Sequence, residues 1–200
     1  MHHNFTQGDE SMNNFQKLAS GVNVLPLLLA IKRRPELWKM DTYLRDYPQG
    51  PFGDVESILL RFPPISVHET EEELKNHLST FDQHENYDRP EYKELHEARE
   101  LIMPLMTMVQ GERLGRCIIN KIKPGGRIYP HADTPAHAEY YSRFHIVLQS
   151  QPGVIFIAGD EQAYMEQGSI WWFNNKLEHE VINNSADDRI HLVVDVRTSR

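Results

Sequence analysis

The apolar positions change texture along this chain near residue 111. Before it they recur at helical spacing. Between Asn23 and Met40, Leu25, Leu28, Leu29, Ala30 and Ile31 predict a helix, with Pro35 as its breaker and Leu37 and Trp38 closing it or opening a second turn. Pro90 is a favoured first-turn residue, and Leu95, Ala98, Leu101, Ile102 and Leu105 give the helix after it one apolar stripe ending near Gly111. Pro104 is expected to kink or end its last turn. Between the helices, Val55 to Phe62 reads as a strand stopped by Pro63-Pro64, and Thr70 with Glu73 reads as a capping box opening a short helix through Leu78. Tyr47 to Gly53 is dense in turn formers and reads as a loop.

After residue 111 the pattern becomes short strands divided by turns: Arg116 to Lys123, Arg127 to His131, Arg143 to Leu148, Val154 to Ala158, Ser169 to Phe173, His179 to Ile182 and Arg189 to Val196. Strands at that spacing predict a sandwich or barrel. The expected fold class is mainly β with flanking helices, a double-stranded β-helix (jelly roll) of the cupin kind. Residues 1–20 are polar and aperiodic and read as a flexible arm. Residues 21–200 read as one domain, its helical part (21–111) packed on the β core (112–200). The last strand supports this arrangement. Ile190, Leu192, Val194 and Val196 share one face, while Arg189, His191, Val193, Asp195 and Arg197 share the other. If Arg189 points into the barrel, the aliphatic row faces outward and needs the helices at 24–39 and 90–105 as cover.

Bulk properties narrow the partners. The 200 residues carry a formal net charge of −8, which argues against nucleic-acid and anionic-membrane partners. The one cysteine, Cys117, lies in a strand-like run and reads as buried filler, so a reducing compartment is expected. The N-terminus lacks a secretory pattern, and the longest apolar run, Val24 to Ile31, is broken by Pro26 and too short to span a bilayer. A cytoplasmic protein is the expectation; oligomeric state stays open.

The chemistry concentrates in Pro124-Gly-Gly-Arg-Ile-Tyr-Pro-His131-Ala-Asp133. Side chains two apart on a strand share a face, so His131 and Asp133 aim an imidazole and a carboxylate at one point. His179, in Leu-Glu-His-Glu-Val, is the candidate second imidazole. Two His and one carboxylate form the open triad of non-haem Fe(II) oxygenases. Arg189 suits the distal carboxylate of a 2-oxo acid, because its fork binds carboxylates bidentately and stays charged. It also neutralises the negative charge left when a dianionic 2-oxo acid meets Fe(II) and one carboxylate. Structural zinc would need a Cys-rich set that this chain lacks.

Arg143 and His145 face one way on their strand: His145 is assigned to the metal-proximal carboxylate and Arg143 to an anionic group of substrate or co-substrate. Arg143 and Arg116 hint at a substrate carrying a carboxylate. A competing reading sets His131, His137, Glu139 and His179 around a different metal in a cupin-like enzyme that does not use 2-oxoglutarate. A third is a jelly roll that binds ligand without turnover. Trp171, Trp172 and Phe173 read as core and pocket wall, and Arg197 lies too far past His179 to reach the same pocket.

Taken in order, Ile122-x-Pro-Gly-Gly-x-Ile-x-Pro-His131-x-Asp133, Arg143-x-His145, Gly168-Ser-Ile-Trp-Trp-Phe-Asn-Asn-x-Leu-Glu-His179-Glu-Val and Arg189 leading to Val194-Asp195-Val196 resemble the aspartyl/asparaginyl β-hydroxylase family. The resemblance covers about residues 112–197. It implies a jelly roll using Fe(II), 2-oxoglutarate and O2 to hydroxylate a small-molecule or peptide substrate. His131, Asp133 and His179 would bind iron, and Arg189 and His145 would hold 2-oxoglutarate. The best-known protein-hydroxylating members lack the carboxylate ligand. With Asp133 present, this chain looks more like the bacterial branch, which includes free amino-acid (proline) hydroxylases and a lipid A hydroxylase.

Overall fold

The computed structural model describes residues 13–48, 50–64, 70, 72, 73, 76, 82 and 84–199. Two antiparallel sheets face one another. The larger runs β1(Phe15–Ala19), β9(Ile170–Phe173), β6(Ser142–Gln149), β11(Arg189–Thr198), β4(Gly111–Ile122), β2(Val55–Phe62) and β3(Tyr87–Asp88). The smaller runs β5(Arg127–His131), β10(His179–Asn183), β7(Val154–Ala158) and β8(Glu161–Ala163). From β4 to β11 the chain passes back and forth between the sheets, which is the winding of a jelly roll.

Strand alternation divides the interior in two. On β11, Ile190, Leu192, Val194 and Val196 join Phe144, Ile146 and Leu148 of β6 and Cys117 and Ile119 of β4 in one buried cluster. Its other half is Leu27, Leu28 and Ile31 of the helix Leu25–Arg33 and Leu101, Ile102 and Leu105 of the helix Arg99–Met108. The expected helical cover is therefore in place. The opposite faces turn into the barrel, where Ile122, Ile128, Val147, Phe156, Phe173 and Val181 form the second core.

Local differences have local causes. The expected arm to residue 20 covers residues 1–12, which lie outside the described residues, and 13–20, where the chain instead adds strand β1 to the edge of β9. Phe15, 2 % exposed, anchors it between Phe156 and Phe173. The first helix stops at Arg33, and Pro35 opens a separate 3-10 turn, Pro35–Lys39. The second expected helix is three pieces: Pro90–Glu94, a 3-10 turn His96–Ala98 and Arg99–Met108. Pro104 does not end the last piece, which runs four residues beyond it; the break falls at Leu95 instead. Thr70 and Glu73 exchange the reciprocal bonds of a capping box, each at 3.2 Å, although most of the helix expected after them lies outside the described residues. The connection after Asp133 is not loose: Pro135–Tyr140 forms a helical turn and a half. No helix among the described residues is long and apolar enough to cross a membrane.

Leu192 is fully buried at the seam between β11 and the helices. Leu192→Ala should lower the unfolding free energy by about 2–5 kcal/mol, read as a reduced urea midpoint at unchanged slope.

Candidate metal centre

The turn Pro124-Gly-Gly aims β5 into the barrel mouth. Gly125 sits at φ +81°, open to glycine without strain, and its N–H donates to Asn183 O at 2.8 Å. Asn183 closes the same ring by donating its N–H to Gly126 O at 3.0 Å. This locks β5 to β10, and the register places His131 directly opposite His179. Their ring centroids lie 4.3 Å apart. Asp133, two residues past His131, brings its carboxylate into the same group: the ligand atoms of His131, Asp133 and His179 all lie within 4.8 Å of one another. Among the described residues this is where His, Cys, Asp and Glu side chains converge tightly enough to hold an ion.

Each member is set up as a ligand. His131 Nδ1 lies 2.9 Å from Tyr129 O, and His179 Nδ1 lies 2.9 Å from Leu177 O. A carbonyl oxygen only accepts, so each Nδ1 carries the proton and each Nε2 presents its lone pair. Burial, joined by the neighbouring His131, pulls the pKa of His179 down to about 4; burial likewise lowers His131. Burial alone would raise the carboxyl pKa of Asp133, but the Arg143 charge and an Asn175 hydrogen bond outweigh it and keep the group ionised. Asn175 Nδ2 donates to Asp133 Oδ2 at 3.0 Å and Arg143 Nη1 donates to Oδ1 at 2.9 Å. Two neutral imidazoles and one pinned carboxylate, with no fourth protein ligand among the described residues, fit Fe(II) with coordination positions left open.

Arg143 is tied on its other side as well. Its Nε and Nη2 donate to Asp195 Oδ1 and Oδ2 at 2.7 and 3.1 Å. Asp195, fully buried, is also 2.8 Å from His137 Nε2. The expectation that Arg143 serves an anionic group of a ligand therefore meets a residue already held by two carboxylates. His137, considered as a rival ligand, faces Asp195 rather than the triad, and Glu139 is exposed.

Arg189 is fully buried on the inward face of β11 and is not among the residues that line the cavity. Its Nη2 donates to His191 Nδ1 at 2.8 Å, and Nε and Nη1 have no partner among the described residues. Burial draws its pKa down to about 9. His191 Nδ1 stands 3.2 Å from Nδ1 of His145, whose own Nε2 is buried and unpartnered. An unpaired buried guanidinium behind an unpaired buried imidazole is costly unless an anion completes it. His145 is held between the edges of Phe156 and Phe173, at ring-centroid distances of 5.2 and 5.3 Å.

The cavity over these groups is lined by the triad, Arg143, His145 and Arg116, and walled by Phe52, Phe62, Ile118, Ile128, Phe156, Phe173 and Val181. Trp171 lies in the core behind it, and Arg197 lies outside, stacked over Tyr140. Asn175, Asp195 and His191 carry parts of the site that residue spacing alone did not single out, and His137, read as a rival ligand, takes its place there as the partner of Asp195. Asp195 and His191 nevertheless share the inward face of β11 with Arg189, and the alternation rule points to them.

A family model described as aspartyl/asparaginyl beta-hydroxylase matches residues 67–199. The L-proline cis-4-hydroxylase of Rhizobium meliloti (strain 1021) is 30% identical over 77 residues, which is 38% of this chain and 28% of that protein. Less than a third of that relative's length is thus matched. A 2OG-Fe(II) oxygenase-family oxidoreductase from Burkholderia pseudomallei aligns at a TM-score of 0.44 and 16% identity, over 72% of this chain and 67% of that one. A Pseudomonas putida prolyl-4-hydroxylase aligns at 0.46 and 11%, over 94% of each chain.

Two outcomes follow from the site. Between its ordinary 6.5 and about 4, His179 holds a proton in the unfolded chain but not in the folded one, so stability rises with pH across that window. Acidifying metal-free protein to pH 5 should cost about 2 kcal/mol from His179 alone, seen in urea unfolding, and His179→Ala should flatten the slope. Asn175→Ala frees one side of Asp133 and should weaken metal binding about 10–100-fold in chelator competition.

Proposed function

The chain belongs to the aspartyl/asparaginyl β-hydroxylase family, and we propose that it is an Fe(II)- and 2-oxoglutarate-dependent dioxygenase hydroxylating an unactivated C–H of an amino acid. The substrate is free or held in a peptide as an Asp/Asn-like residue, and it bears a carboxylate. The observation that carries this reading is the convergence of His131, Asp133 and His179 with both Nε2 lone pairs free, in a barrel that also buries Arg189 with two of its nitrogens unpartnered.

His131, Asp133 and His179 would hold the metal. When bound, Fe(II) with 2-oxoglutarate and O2 supplies the oxidising power that replaces C–H by C–OH, with succinate and CO2 as co-products. Arg189 receives the distal carboxylate of 2-oxoglutarate, where its charge and unpaired N–H groups are satisfied together. His145 meets the carboxylate nearer the metal. Arg143 does not contact the co-substrate directly; it keeps Asp133 ionised and oriented. The walls of Phe52, Phe62, Ile118 and Ile128 exclude water and would hold an apolar substrate body in the cavity that the triad also lines. A lone buried cysteine with no disulfide suits a reducing cytoplasm. A related proline hydroxylase makes a free amino acid the first substrate to try.

The His137 and Glu139 ligands of the cupin-like alternative do not join the triad.

Purified protein with Fe(II), ascorbate and 2-oxoglutarate should release succinate when offered free amino acids and short Asp/Asn peptides. No release above background across both panels sinks the reading. His179→Ala should abolish stoichiometric iron binding. Arg189→Ala should weaken 2-oxoglutarate at least about tenfold while leaving iron affinity within about twofold, by titration calorimetry under anaerobic conditions.

A further inference from the structure

We propose that Arg116 is the subsite for the carboxylate of the substrate, so that the substrate is a small monocarboxylate with an apolar body. The inference rests on the oxygenase reading and settles which cation in the cavity is available to a substrate.

Three arginines stand at or behind the cavity, and two are already committed. Arg143 is bonded to both Asp133 and Asp195. Arg189 is fully buried, is not among the lining residues and is assigned to the co-substrate. Arg116 has no hydrogen bond or ion pair among the described residues, and its Nε is buried without a partner. Strand alternation on β4 puts Arg116, Ile118 and Asn120 on the cavity lining, while Cys117 and Ile119 go to the helical core. The guanidinium carbon sits 5.2 Å from the ring centre of Phe62, which supports the planar group from one side without using its donors. Burial lowers its pKa, and Asp195 acts on it only at a distance.

Charge balance points the same way. Fe(II), Asp133, a dianionic 2-oxoglutarate and Arg189 sum to neutral. Arg143 and Asp195 cancel. Arg116, half-buried, remains as one positive charge with no ion-pair partner among the described residues, and one carboxylate neutralises it. The neighbouring lining of Phe62, Ile118, Leu44 and Ile128 is apolar. A ligand with its carboxylate on Arg116 therefore presents an aliphatic body toward the triad.

The test uses the full chain loaded with Zn(II) and 2-oxoglutarate, titrated calorimetrically with free L-amino acids and their amides, beginning with L-proline and L-prolinamide. At least one acid should bind at least about tenfold tighter than its amide. Arg116→Gln should erase that difference while 2-oxoglutarate affinity stays within about twofold. Arg116→Lys keeps the charge but loses the fork, and should retain part of the preference; it also serves if the Gln variant fails to fold. Equal binding of acids and amides, or no binding of any acid in the panel, overturns the proposal. Loss of 2-oxoglutarate affinity in Arg116→Gln also overturns it, because Arg116 would then belong to the co-substrate. Acid-over-amide preference in a wild type that does not bind 2-oxoglutarate leaves the subsite standing and removes the oxygenase reading instead.

Discussion

The interior of this barrel depends on one ion-pair arrangement, the Arg143 guanidinium bridging Asp133 and Asp195. Two carboxylates so close in a buried site would repel, and one of them would take up a proton. A protonated Asp133 is no longer a ligand for a hard cation. The fork of Arg143 prevents this by offering separate edges to the two acids, which the single ammonium of a lysine could not do in the same geometry. Burial pushes the Asp195 carboxyl upward, yet Arg143 and the hydrogen bond from His137 hold it far below the usual carboxylate range. Asp133 is thus anchored through a chain of contacts that ends at His137 on the helical turn Pro135–Tyr140.

The same economy governs β6 and β11. Every second residue of each strand feeds the helical core, and the residues between them build the polar interior. Because the side-chain period is two, the aliphatic row fixes the polar row: a slip of one residue would bury the outward surface wrongly and turn Arg189 and His145 out of the barrel together. Packing outside the barrel therefore sets the placement of the polar side chains within it.

Much of this was legible in residue order. The strands at 55–62, 127–131 and 154–158 match their expected bounds, and the triad converges as spacing and alternation require. What spacing could not supply was nonlocal. Strand β1 comes from a polar stretch whose one strong apolar anchor, Phe15, acts only once β9 is beside it. The 3-10 break near Leu95 lies inside a clean apolar stripe, where periodicity is blind to a tighter turn. In the strand pattern Arg143 reads as a cation for ligands. Its true neighbours, ten and fifty-two residues away, became visible only when the sheet brought them together.

Arg189 has a further meaning for how such a chain evolves. Its position is fully buried, and two of its nitrogens are left bare. A methionine or leucine of similar bulk would shed that desolvation penalty, so the folded state gains nothing from retaining the arginine when the pocket is empty. Drift under selection for folding alone would discard it early, and with it the neighbouring imidazoles would lose their reason to be polar. Descendants that kept the barrel but abandoned the chemistry should then be recognisable by an aliphatic residue at this position, in a core more stable than the one it replaced.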